Sequence, residues 1–526
     1  MKKRTAARSM AALMGAAMVL TACGGGNTTA PTTGASSGGE TQTASESAES
    51  GKITKTDIVV GQASDIVTLD PAGQQDTTSG VLMKHAYSTL LDVDNEGKVV
   101  PDLAESYEMK SDTEYVFKLR EDACFWDGTP VTAQDVKFSL DRAKGMPKTK
   151  SNTSKIEEVT VNGDHEVTIK LTEPYAAFKT IVTQHNLSIL SEKAVTEAGD
   201  SYGDVDNLLG SGPFKVTEWV PNDHYTLVRN DNYWGEMPIA TSITCRVIPE
   251  GSARTIALEA GEIDVVWSVD PTDCANVESN PDVKLLSQPS TGIDYVGMNT
   301  QKEKFSDKRV RQAINYALDK QTFVDTIIEG RGLVANSYIN AAIPGWTDEV
   351  EAYPYDPEKA KELLAEAGYP DGFECSIFVN GDLRTRSAQI LQAQLADVGI
   401  KVDISTYEWG ALLDTLNAGE HEMFLLGWSN TSFDPDGSTY QLFYSGNHGA
   451  TGNRAFFSND KVDELILSAQ RESEESKRME LYKELQFVLH DESPWCPLYY
   501  KENYVGVRAD LKGFTLHAGA QHYLGN

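Results

Sequence analysis

Residues 373–428 read FECSIFVNGDLRTRSAQILQAQLADVGIKVDISTYEWGALLDTLNAGEHEMFLLGW, and this stretch decides the fold class. Phe373 to Val379 is a short apolar run bounded by Asn380-Gly381, which reads as a strand. Ala388, Leu391, Leu395 and Val398 then recur at helical spacing until Gly399 stops the helix. Ile400, Val402 and Ile404 alternate as the next strand. Trp409 to Ala418 is a helix ended by Gly419, and Met423 to Gly427 is a further strand. Strands alternating with helices make a sheet with helical crossovers, so the class is α/β. In such sheets ligands sit beyond the carboxyl ends of the strands. Those ends lead into Asn380 to Arg386 and into Trp428 to Asp436. If the strands run parallel, both loops face one crevice.

Working outward, Asp356-Pro357-Glu358 supplies an N-cap and an N1 proline, and Gly368 closes the helix they open. Val310, Ala313, Ile314, Ala317 and Leu318 share one helical face, which is core. Lys98 to Lys118 and Glu157 to Leu171 carry strand patterns with turn signals such as Asn162-Gly163, a meandering β region.

The whole chain has 526 residues, enough for about three domains. Its 46 Lys plus Arg face 78 Asp plus Glu, a net charge of −32, and no basic patch interrupts the acidity. That excludes nucleic acid as a partner and disfavours docking on anionic lipid. The first residues differ. Lys2, Lys3, Arg4 and Arg8 precede an apolar run from Met10 to Ala22, the size of a secretory signal core. Leu20-Thr21-Ala22-Cys23 resembles the bacterial lipobox, which implies a signal peptide over 1–22 and lipidation of Cys23. Residues 24–51 are almost wholly Gly, Thr, Ser and Ala, a composition that cannot offset its ordering entropy. Residues 23–51 thus read as a lipidated cysteine and disordered tether, holding the body about 30 Å from a membrane. Removing the four leader cations takes the net charge from −32 to −36.

Cys124, Cys245, Cys274, Cys375 and Cys496 form no CxxC pair, and their odd number leaves at least one thiol free. They read as buried, inert thiols, with one disulfide left open. Catalytic patterns fail one by one. His421-Glu422 begins like HExxH, but Leu425 stands where the second His belongs. Asp92, Asp94 and Glu96 suggest a calcium loop, but Leu103 occupies its twelfth position, so Asn95-Glu96-Gly97-Lys98 is a turn. Gly210-Ser211-Gly212 lacks the spacing of a nucleophile elbow. The reading is a non-enzyme without cofactor or metal.

A series of blocks carries a family resemblance. They include Leu69-Asp70-Pro71, Leu103-Ala104-Glu105-Ser106-Tyr107, Phe125-Trp126-Asp127-Gly128-Thr129-Pro130-Val131-Thr132, Gly210-Ser211-Gly212-Pro213-Phe214, Asn232-Tyr233-Trp234-Gly235, Val310-Arg311-Gln312-Ala313-Ile314-Asn315-Tyr316-Ala317 and Pro494-Trp495-Cys496-Pro497-Leu498-Tyr499. Over about residues 55 to 515 the chain resembles the extracytoplasmic solute-binding proteins of ABC importers, the family with dipeptide, oligopeptide, glutathione and nickel receptors. The resemblance implies an α/β, two-lobed fold of the periplasmic-binding-protein type (type II, with an extra domain), its lobes joined by two crossing segments. It implies a first lobe from 52–90, 208–298 and 496–526, an extra subdomain over 91–207, and a second lobe over 299–495. It also implies a monomer that captures a peptide or other small ligand, delivers it to ABC-transporter permease subunits, and is held to the membrane by lipid. Receptors for a nickel chelate, an opine or an oligosaccharide, and a non-transport surface receptor or chaperone, remain open alternatives.

Free-peptide receptors of the family place an Asp three residues after the Trp of Gly-Trp-x-x-Asp, where it pairs with the ligand ammonium. Here Gly427-Trp428-Ser429-Asn430-Thr431 puts Thr431 there, and the place of a carboxylate-binding Arg falls on Phe378. Both charged anchors of the dipeptide pattern are therefore expected to be absent, and a modified or larger peptide to fit better. Asp76-Thr77-Thr78-Ser79 resembles the glutathione receptors and is expected at the cleft. Arg384 and Arg386 start a helix, where cations oppose the dipole; a ligand anion, a salt bridge to Asp382 or exposure to solvent explains them. Trp267 and Trp428 either stack on ligand or fill the lobe interface. Asp434 either touches ligand or, like Asp436, orients its loop as an Asx-turn. Asn299 and Tyr440 complete the candidates.

Overall fold

The α/β succession is present in the computed structural model, which describes residues 54–514, 516–520 and 522–524. Phe373–Val379, Ile400–Thr406 and Met423–Ser429 are strands, with the helices Gly381–Ala396 and Trp409–Asn417 between them. The first strand pairs in parallel with both others, Ile377 lying opposite Met423. Both loops expected at the crevice therefore leave the same edge of the sheet. Ala388, Leu391 and Leu395 are fully buried, each leucine contributing about 2 kcal/mol of transfer free energy. Gly399 ends its helix at a φ of +87°, a conformation that strains any residue with a Cβ.

These strands belong to a larger sheet. Its order is Ile400–Thr406, Phe373–Val379, Met423–Ser429, Val283–Met298, Trp495–Arg508, Val265–Val266, Asp57–Gln62, Ser242–Val247, His224–Arg229 and Phe214–Val220. Val283–Met298 and Trp495–Arg508 run antiparallel through both lobes, and their register breaks between Pro289 and Ile293. Pro289 has no N–H to give the ladder. Ser290 fills in: its hydroxyl donates to Lys501 O at 2.8 Å and accepts from Gly292 N at 3.0 Å.

The cores change at this break. Val505 and Val507 pack with Ile58, Val60 and Phe214, whereas Val296, Met298, Cys496 and Leu498 pack with Val310, Ile314 and Leu391. The crossing therefore lies near 290–292 and Lys501, and the expected boundaries 298/299 and 495/496 fall inside the second core. The reason is that both crossing strands continue as partners of Met423–Ser429 or its neighbour, so their ends are buried with the second lobe.

The β region forms a separate four-stranded antiparallel sheet, Ala104–Ser111, Glu114–Leu119, Glu166–Leu171 and Ile156–Gly163, over its own core of Leu103, Phe117, Val136, Ile169 and Phe178. Asp94 makes the turn expected before it, its Oδ1 accepting from the backbone of Glu96 and Lys98. Gly210 is packing, not chemistry: a Cβ there would lie 2.1 Å from the Ala86 carbonyl oxygen. Cys124, Cys245, Cys274, Cys375 and Cys496 are all free, and burial pushes the Cys245, Cys274 and Cys375 thiols up to about 12. The expected signal peptide, Cys23 and tether lie outside the described residues. No helix among the described residues is long and apolar enough to cross a membrane.

Candidate ligand-binding site

The lobes meet through side chains that only a closed arrangement brings together. Tyr175 donates to Asp436 Oδ2 at 2.5 Å, Thr431 donates to Gln184 Oε1 at 2.7 Å, and Arg386 donates to Asp270 Oδ2 at 2.5 Å. The Tyr440 and Ser154 hydroxyls lie 3.0 Å apart. Between the lobes lies a cavity of about 370 Å³.

Asp76, Thr77, Thr78, Trp267, Arg384, Trp428 and Thr431 line it. The parallel pairing explains the three from second-lobe loops: Arg384 follows one strand end and Trp428 and Thr431 the other, at the carboxyl ends where ligands sit in such sheets. Four candidates lie elsewhere. Asn299 is buried and donates to the carbonyls of Gly419 and His421, pinning a helix end. Tyr440 serves the lobe contact with Ser154. Arg386 is taken by Asp270 rather than by ligand or by Asp382. Asp434 forms a two-pronged pair with Arg478, and its Oδ1 accepts from Asp436 N at 2.9 Å, the Asx-turn geometry.

The wall is charged unevenly. Lys501 meets the buried Asp294 at 2.9 Å, and Arg384 lies 3.9 Å from the same carboxylate. Gly427 leaves room for Asp294, since a Cβ there would lie 3.1 Å from its oxygens. Arg454 is 7% exposed, donates from Nε to Asn417 Oδ1 at 3.0 Å, and among the described residues has no carboxylate within 4.0 Å. Burial pushes its pKa down. His421 Nε2, 2.8 Å from the Arg454 carbonyl, fixes that backbone. Burial also holds His185 and His522, both on the wall, at about 3, so they are neutral at pH 7. Several wall atoms are buried without a hydrogen bond: the donors Trp267 Nε1, Arg384 Nε and Trp409 Nε1, and the acceptors Gln75 Oε1 and Asp76 Oδ2. Buried polar groups are normally satisfied, so such a cluster marks where a polar ligand docks. Trp428 is different, for its indole N–H already donates to Gly437 O at 3.1 Å and leaves the ring to face the cavity.

Residues 98–450 match the model of the bacterial extracellular solute-binding proteins, family 5. The chain belongs to this family. Among curated relatives, the glutathione-binding protein GsiB of Shigella boydii is 32% identical over 479 residues, 88% of this chain and 92% of that protein. A dipeptide-binding protein of Escherichia coli is 30% identical, over 82% of this chain and 86% of that one. The periplasmic binding protein DppA of Helicobacter pylori, solved with the peptide STSA, superposes with a TM-score of 0.85 at 29% identity, covering 89% of this chain and 98% of that chain.

Sequence reasoning missed Asp294, Arg454 and Lys501 of this solute-binding protein. Two of them left a signal. Asp294 is a lone acid in the apolar run Ile293 to Met298, and Lys501-Glu502-Asn503 interrupts the apolar stretch Trp495 to Val507. Charges set into strands buried on both faces need partners, which makes them site candidates. Arg454, in the loop Thr451-Gly452-Asn453-Arg454, left none.

Proposed function

We propose that this protein captures small acidic peptides, glutathione-like or otherwise modified, and presents them to the permease subunits of an ABC importer. The observation that carries the reading is the cavity between the lobes with two cations on its wall: Arg384, which shares the single Asp294 carboxylate with Lys501, and Arg454, which among the described residues has no carboxylate within 4.0 Å. A ligand with carboxylates of its own supplies the missing charge. The volume is at the small end of the roughly 300–1,000 Å³ usual for ligand pockets, which suits a ligand of a few residues. Relatives named for glutathione and dipeptides, and a similar structure solved with a peptide, support the same class. Mass spectrometry of ligand carried by protein purified natively from its own host tests it. A short peptide with more acidic than basic groups is expected; a nickel chelate, an opine or a sugar would overturn the assignment.

The receptor works from a lipid anchor at Cys23. The Gly-, Ser- and Thr-rich tether has no membrane affinity of its own, so the lipid alone holds the body. Cys23→Ser is expected to shift the protein from the membrane fraction to the medium or periplasm. Unchanged retention would refute the anchor.

A further inference from the structure

We infer that Asp76 holds the free amine of the ligand, so that the cavity selects peptides with an unblocked amino group although Thr431 replaces the usual acid. The inference rests on the peptide reading above. Asp76 immediately precedes the helix Thr77–Ala86, and its Oδ1 caps that helix by accepting from Ser79 N at 2.9 Å. Its Oδ2 is buried on the cavity wall without a hydrogen bond, and no cation lies within ion-pair distance among the described residues. The neighbouring Gln75 Oε1 is also a buried acceptor without a partner on the same wall. An ammonium carries three donors and suits two neighbouring acceptors, and its charge would offset the burial that pushes the Asp76 carboxyl up. Trp409 Nε1 lies beside the Asp76 carboxyl, while the other unpartnered donors named on the wall, Arg384 Nε and Trp267 Nε1, are suited to the carboxylate end of a zwitterion.

The competing acids are accounted for. Asp434 is committed to Arg478 and lies off the cavity, and Asp294 is buried against Lys501. Thr431 gives its hydroxyl hydrogen to Gln184. Glu502 lines the cavity but is only half-buried, so it is not a carboxylate that must be paired. A carboxylate that keeps a buried oxygen unpaired in the free protein is favourable only if binding pairs it.

The test is calorimetric titration of the full chain, freed of carried ligand, with glutathione and with glutamyl-glutamate, each free and N-acetylated. Wild type is expected to prefer the free amines by about 50-fold or more, the scale of losing one partner of a buried charge pair. Asp76→Asn is expected to bring both forms within about threefold of each other, while Glu502→Gln leaves the preference intact. Asparagine still accepts the Ser79 N–H, so the helix cap and the melting temperature should hold. If wild type binds both forms equally, or Glu502→Gln rather than Asp76→Asn abolishes the preference, the amine site is not at Asp76 and the peptide reading survives. If neither peptide binds in either form, the peptide reading fails and takes the amine site with it.

Discussion

Arg478→Met is expected to destabilise the folded protein by about 3–5 kcal/mol, the cost of leaving a buried charge without its partner. Arg478 lies on the helix Glu475–Glu492, with its side chain 4% exposed, and grips Asp434 with both prongs of the guanidinium, Nη1 to Oδ2 at 2.9 Å. Asp434 is followed by the more deeply buried Asp436, which receives Tyr175 OH from across the lobe contact and Gln470 Nε2 at 2.9 Å. Burial and the Asp434 charge push the Asp436 carboxyl up to about 6. A raised folded-state pKa means that folding favours the protonated form. Its contribution is full below the usual carboxylate value and is lost as pH rises through about 6. Methionine in place of Arg478 removes the cation that offsets both acids, so the deficit of the variant should grow from pH 5 to pH 8. Urea unfolding at both pH values measures it. The double variant with Asp434→Asn should recover much of the loss, because both charges of the pair are then gone. A deficit under about 1 kcal/mol at pH 8 would show that the pair is not the buried bridge its geometry indicates.

Arg454→Gln should behave in the opposite way. Arg454 is nearly as buried as Arg478 but among the described residues has no carboxylate within 4.0 Å, so the more distant Asp76 offsets only part of the desolvation of that cation in the free protein. Removing it should leave the melting temperature of the free protein unchanged or higher. The loss should appear in binding instead. Affinity for glutathione is expected to fall about 100-fold or more, as when one member of a desolvated charge pair is removed. Arg454→Lys, which restores charge without the fork, should recover part of it. Calorimetry on the three proteins decides the matter. Binding within about threefold of wild type in the glutamine variant would place the ligand's carboxylates elsewhere, and a large drop in free-protein stability would mean that Arg454 has a structural partner after all.

These two arginines mark the limit of what could be read from the chain itself. The strand–helix–strand succession from Phe373 to Ser429, the stops at Gly399 and Gly419, and the buried face of Val310, Ala313, Ile314 and Ala317 follow from periodicity, because burial of apolar side chains is a local demand repeated along each element. The place of the cleft also followed, since parallel strands bring Arg384 and Trp428 to one edge. The partners of charges did not. Arg478 meets Asp434 across 44 residues, Arg386 meets Asp270 across 116, and Tyr175 meets Asp436 across 261. Two identical side chains, Arg478 and Arg454, are separated into a structural bridge and a free wall cation by loop packing alone. Whether a buried charge is paired depends on a few ångströms of placement between distant segments, and Coulomb energy and desolvation change steeply over that range. Periodicity and spacing along the chain thus determined the α/β class and the crevice, while the family and its two lobes were legible only through the resemblance of the ordered blocks from Leu69 to Tyr499. The tertiary structure alone decided which acids and bases in that crevice remain free for a ligand.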